Sequence, residues 1–136
     1  MALVQRVKMK HLLMGFALAL KERGTCKRLK VGVVITDKFL TQIYSFGYNG
    51  NAKGFKNTCD REEPGNCGDL HAECNALIKV RINDSEKVMF TTTAPCEMCA
   101  KLIVNSGFSK VYYVKDYRLK VGVSILMKGG VRVEKL

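Results

Sequence analysis

The chain has no tryptophan, only 2 prolines, and 12 acidic residues against 23 lysines and arginines. With 12 glycines scattered among 136 residues and so little proline, no linker or low-complexity stretch exists, which excludes disordered and fibrous classes. Long apolar runs are missing too. The longest, Leu12 to Leu20, falls far short of the roughly 20 residues a bilayer-spanning helix needs. It loosely imitates a secretory signal, but Lys21, Glu22 and Arg23 stand where cleavage needs small side chains. The expectation is a cytoplasmic protein with no membrane partner, whose 6 cysteines are reduced and free to bind metal or do chemistry. The shortage of acid leaves a net charge of +11, which attracts anions of any size, from a small phosphorylated molecule to a polynucleotide. Against the polynucleotide stands the aromatic content: 6 Phe and 5 Tyr, with no basic run interleaved with aromatics to stack bases.

What is present fits one domain spanning residues 1–136, since a chain of this length folds around a single core. Apolar positions at loosely helical spacing predict a first helix over residues 3–22, stopped by Gly24. Val31 to Thr36 and Thr41 to Phe46 are β-branched and aromatic runs joined at Asp37-Lys38, a hairpin. A long loop without apolar period follows from Gly47 to Gly68, the kind of loop that is functional or pinned by something. Asp69 is a candidate N-cap for a helix from about His71 to Val80. Then come a strand over 87–92, a helix from Pro95 to 105, a strand over 110–114, a weaker helix over 118–128 and a closing strand over 131–133. The order α-β-β-α-β-α-β-α-β contains βαβ units, which predict an α/β fold: a five-stranded mixed sheet with helices on both faces, three layers in all.

Two segments carry chemistry: His71-Ala72-Glu73 and Pro95-Cys96-Glu97-Met98-Cys99. Each is predicted to begin a helix beside a strand. A Cys-x-x-Cys pair at a helix start aims both sulfurs at one point, and the free N–H groups and positive dipole end there favour thiolates. Adding His71 to Cys96 and Cys99 makes three zinc ligands, which leaves the fourth tetrahedral position for water and marks a catalytic metal rather than a structural one. Glu73 is placed to take that water's proton and return it to a leaving group. Either motif alone is common. His-x-Glu followed by Pro-Cys-x-x-Cys is the zinc-deaminase signature.

With these residues in view, the chain resembles the cytidine deaminase superfamily and, within it, the deoxycytidylate (dCMP) deaminases. The likeness runs from about residue 24 to the C-terminus. It rests on Cys26-Lys-Arg-Leu-Lys-Val-Gly32, Gly47-Tyr-Asn-Gly50, His71-Ala-Glu-Cys-Asn-Ala76, Pro95-Cys-Glu-Met-Cys-Ala-Lys101, Asn105-Ser-Gly107 and Val111-Tyr112. The Gly-Tyr-Asn-Gly loop and the Cys-Ala-Lys continuation distinguish this branch from nucleoside and tRNA deaminases. One departure is visible: the family usually has proline two residues after Gly-Tyr-Asn-Gly, where this chain has Ala52.

The resemblance implies a cytidine deaminase-like fold and hydrolysis of the C4 amine of a deoxycytidine nucleotide, dCMP with dCTP as a candidate second substrate, feeding dTMP synthesis. Water polarised by zinc adds to C4 while Glu73 moves every proton, and ammonia leaves. It further implies that Asn49 binds the sugar, Ala72 the base edge, Tyr117 the base face and Arg118 a phosphate. Homo-oligomers, hexamers among relatives, are implied, as is regulation by dCTP and dTTP with Mg2+ beside the effector. Cys26, Cys59 and Cys67 bracket the long loop and are candidates for a second, structural zinc; His11 is one option for its fourth ligand. Cys74, beside Glu73, is expected to be an ordinary buried free cysteine. The alternative function is a polynucleotide deaminase acting on single-stranded DNA or tRNA, using the same zinc on a flipped base. A non-catalytic zinc module is opposed by Glu73, for which a structural metal has no use.

Overall fold

A computed structural model describes all residues, 1–136. The elements in chain order are α1 (Met9–Leu20), a 3₁₀ turn (Lys21–Arg23), β1 (Gly32–Thr36), β2 (Ile43–Tyr48), α2 (Ala72–Leu77), β3 (Lys87–Thr93), α3 (Glu97–Asn105), β4 (Phe108–Lys115), α4 (Val121–Lys128) and β5 (Arg132–Lys135). They build one mixed sheet in the order β2-β1-β3-β4-β5. β1 is antiparallel to both β2 and β3, whereas β3, β4 and β5 run parallel through the α3 and α4 crossovers.

Every residue of β1 and β3 is buried, as central strands with both faces covered must be. Alternation sorts their side chains. Val34, Val88 and Phe90 pack with Tyr112 against Leu13, Met14, Ala17 and Leu20 of α1. Val33, Ile35, Met89 and Val111 point the other way, onto Ala72 and Ala76 of α2, Ala100 and Ile103 of α3 and Leu126 of α4. The three expected layers are therefore present, with α1 alone on one face and the site-bearing helices on the other.

Boundaries depart from expectation where local chemistry decides them. α1 begins at Met9, not residue 3. Lys8 at its N-cap supplies no side-chain hydrogen bond, no acid sits in its first turn, and Leu3, Val4 and Val7 find no core to cover. β2 begins at Ile43 because the Asp37 carboxylate captures the Thr41 and Gln42 N–H groups at 2.7 and 2.8 Å, holding 37–42 as a turn. β2 also runs on through Gly47 and Tyr48, which were expected in the loop. α2 stops at Leu77, and α4 starts only at Val121 because Tyr117 and Arg118 belong to a cavity wall.

Candidate active site

Two helix starts meet on the α2–α4 face. His71 occupies the N-cap position of α2, and Cys96 that of α3 directly after β3; both have extended backbone (φ −72°). Two glycines let these starts close in. A Cβ at Gly47 would lie 2.6 Å from the Ala72 carbonyl oxygen, so β2 can back onto α2 only without a side chain there. A Cβ at Gly122 would lie 1.9 Å from the Pro95 carbonyl oxygen, so α4 presses directly on the turn that presents Cys96.

The result is a triangle: His71 Nδ1 is 3.5 Å from Cys96 Sγ and 3.4 Å from Cys99 Sγ. Tetrahedral zinc with ordinary Zn–S and Zn–N bonds separates such atoms by roughly 3.6 Å. The three donors therefore fit the metal, and their number leaves one coordination position open. Glu73, in the first turn of α2, is buried at 4% exposure, and burial raises its carboxyl to about 7. The Cys96 thiol is pulled down to about 4, first by its hydrogen bond with Cys99 and then by His71; His71 is raised in turn to about 9 by Cys96. An acidic thiol, an imidazole and a proton-ready carboxylate thus share one pocket. Cys74 is half-buried rather than buried, and its sulfur lies 3.9 Å from Cys99 Sγ.

A second cluster gathers at the long loop. Cys26 Sγ lies 3.9 Å from both Cys67 Sγ and Cys59 Sγ, and Cys59 Sγ lies 4.0 Å from Asp69 Oδ2. All four ligand atoms fall within 4.8 Å of one another. The other Asp69 oxygen, Oδ1, is buried with no hydrogen-bond partner, and burial raises this carboxyl. Three sulfurs about a tetrahedral edge apart beside an unsatisfied carboxylate suit a closed, four-ligand metal site. Asp69 is the fourth member, correcting two expectations: it does not cap α2, and His11 lies exposed on α1, outside the cluster.

Both clusters border one cavity of about 440 Å3, a size suited to a small molecule. Its lining includes Asn49, Ala72, Tyr117 and Arg118, all expected at the site, and also Arg28, Pro64 and Lys115, which were not. The Asn49 amide is already engaged: Oδ1 accepts from the Val31 N–H and Nδ2 donates to the Leu29 carbonyl, both at 2.8 Å. One Oδ1 lone pair is left for a ligand hydroxyl. Arg118 Nη2 donates to the Pro64 carbonyl at 3.1 Å, latching the long loop to the far wall. At the departure noted in that loop, the Ala52 N–H donates to Asn51 Oδ1 at 2.8 Å, a bond proline has no N–H to make.

Residues 7–115 match the family described as the cytidine and deoxycytidylate deaminase zinc-binding region. ComE operon protein 2 of Bacillus subtilis (strain 168) is 29% identical over 142 residues, covering 98% of this chain and 74% of that protein. The deoxycytidylate deaminase of Mycobacterium phage D29 is 33% identical over 120 residues, covering 76% of this chain and 91% of the relative. Among solved structures, the dCMP deaminase from the cyanophage S-TIM5 in complex with dCMP and dUMP superposes with a TM-score of 0.86 at 36% identity, covering 98% of this chain and 100% of that one.

Proposed function

The chain belongs to the cytidine and deoxycytidylate deaminase zinc-binding family, and on that premise we propose that it is a dCMP deaminase, hydrolysing dCMP to dUMP and ammonia. The observation that carries this is the three-ligand triangle of His71, Cys96 and Cys99 with a buried carboxylate beside it, on a backbone that closely follows one solved with dCMP and dUMP.

Zinc held there supplies a water acidic enough to react at neutral pH. This chain's residues do the rest. Glu73 accepts the water's proton and delivers it to ring N3 as oxygen adds to C4; it then carries the proton of the new C4 hydroxyl to the amine, and the C4–N bond breaks with loss of ammonia, leaving the C4 carbonyl. A carboxyl raised toward neutrality by burial suits both directions of transfer. The Ala72 N–H, free of an intrahelical partner at the first position of α2, holds the base edge. Asn49 offers its remaining lone pair to the sugar, Tyr117 flanks the base, and Arg118 lies toward the phosphate.

The finer reading assigns a second, structural zinc to Cys26, Cys59, Cys67 and Asp69, supported by their spacing and by the orphaned Asp69 oxygen. Residues 1–136 act as one domain, and six free thiols fit the reducing cytoplasm. A homo-oligomer, hexameric by resemblance, is supported by exposed Leu12 and Phe16 on α1 next to Ile43 and Phe46 on the edge strand β2. Use of dCTP as a second substrate, and regulation by dCTP with Mg2+ and by dTTP, rest on the resemblance alone. No helix is long and apolar enough to cross a membrane.

The test is ammonia release from dCMP, dCTP, cytidine, deoxycytidine and single-stranded DNA with one preparation. dCMP is expected to react fastest. Faster deamination of single-stranded DNA overturns the reading in favour of a polynucleotide deaminase.

A further inference from the structure

Cys74 is the one cysteine that belongs to neither cluster, yet it touches a member of the first. Its sulfur lies 3.9 Å from Cys99 Sγ, which is the only hydrogen-bond partner of the Cys74 side chain. It does not stand where a ligand would. The donor atoms of His71, Cys96 and Cys99 fall within 4.8 Å of one another and Cys74 Sγ falls outside that group, so it meets Cys99 from beyond the triangle rather than closing the open coordination position. The helix start that carries His71 and Glu73 thus also reaches across to a ligand on α3.

The two sulfur ligands differ in their surroundings. Cys96 Sγ, half-buried at the N-cap of α3, receives the Cys99 N–H. Cys99 is fully buried, and the hydrogen bonds of its sulfur run only to His71 Nδ1, its co-ligand, and to Cys74 Sγ. Burial strips water from a thiolate, and the charge is costly unless a donor takes the water's place. A metal-bound sulfur can only accept, so the thiol beside it is the donor. On the zinc deaminase reading above, we propose that Cys74 is a positioning residue of the metal centre: its S–H donates to the Cys99 sulfur, fixes that ligand and draws off part of its charge. A sulfur that shares its electrons with a proton gives fewer to the metal, which is left a stronger Lewis acid.

The experiment compares the full chain with Cys74→Ala and Cys74→Val, which remove the donor, and with Cys74→Ser, which keeps one. Each is stripped of metal and reloaded with Co2+, whose charge-transfer absorption from bound sulfur reports the electron density on the ligands. The second cluster is the same in all four proteins and cancels in the differences. The sulfur-to-cobalt band should move to longer wavelength in Cys74→Ala and Cys74→Val and return toward the parent's position in Cys74→Ser. In zinc-buffered solution, the free zinc that restores half of dCMP turnover should rise about tenfold or more without the donor, and Cys74→Ser should reverse most of that rise. A smaller rise, a band that stays in place, or a serine variant no better than alanine overturns the proposal. Valine fills the volume that alanine empties, so it carries the test if Cys74→Ala does not fold. A parent whose cobalt spectrum is unchanged by Cys96→Ser holds no metal on the triangle; that defeats the zinc reading itself, a different result from a triangle-bound metal indifferent to Cys74.

Discussion

The two sulfur clusters are built from similar side chains and border the same cavity, yet they are held by opposite means. His71, Cys96 and Cys99 are placed by two helix starts wedged against the sheet, with Gly47 and Gly122 admitting the close approach. Cys26, Cys59, Cys67 and Asp69 come from irregular chain outside every helix and strand, so no regular element places them. The first brings together three candidate ligands with a buried carboxylate at hand; the second brings together four, one of them a carboxylate. On the reading proposed above, ligand count rather than ligand type separates a centre that acts from one that holds.

The harshest way to break the comparison is at the acting centre. Glu73→Gln keeps the shape and leaves the metal ligands untouched, but the amide cannot carry a proton. Turnover of dCMP should fall by about a thousandfold or more while zinc content stays at the parent's level. Activity within tenfold of the parent removes Glu73 from its role.

The next test exchanges one sulfur in each cluster. Cys96→Ser should cost about one zinc per chain together with essentially all turnover, because a hydroxyl is a poor substitute for a thiolate. Cys67→Ser should also cost about one zinc, but it should show chiefly as faster proteolysis within residues 51–70 and a lower Tm, with the catalytic triangle intact. A parent holding a single zinc per chain by elemental analysis would show that the second cluster is not a metal site.

The smallest effect sets a baseline far from both clusters. Lys10 of α1 and Lys110 of β4 reach Glu134 of β5 at 2.8 and 2.9 Å, and these two hydrogen bonds pull its carboxyl down to about 2. Because the folded value lies below the ordinary one, this stabilisation is present above about pH 4.5 and is lost as pH falls through about 2. The carboxylate is partly solvated, so Glu134→Gln should cost no more than about 1 kcal/mol at neutral pH and less in high salt. Thermal melts at pH 7 and pH 2.5 check this: the variant's deficit should shrink at the lower pH, with zinc content at pH 7 equal to the parent's.

Much of the centre was legible because its information is local. His71, Glu73, Cys96 and Cys99 lie in two short motifs at helix starts, and a helix start dictates where its first side chains and free N–H groups point. The five-stranded mixed sheet with helices on both faces was legible from the succession of strand and helix runs, whereas the strand order β2-β1-β3-β4-β5 and the central burial of β1 and β3 came from the structure. Asp69 was misread because an acid before a helix has two uses, capping and ligation, and only the positions of Cys26 and Cys59 choose between them. The start of α1 was misread because periodicity counts apolar residues without asking whether a core reaches them, and none reaches Leu3 or Val4.

By itself, then, the sequence determined the chemistry: which side chains can bind zinc, which can move a proton, and that they begin helices beside strands. These are properties of residue type and near-neighbour spacing. The tertiary structure alone decided the fourth member of the second cluster, the engagement of the Asn49 amide with residues 29–31, and the presence of Arg28 beside the catalytic cavity. Each of these depends on groups distant in sequence meeting across the fold, where the positions of several elements must be known before any one contact exists.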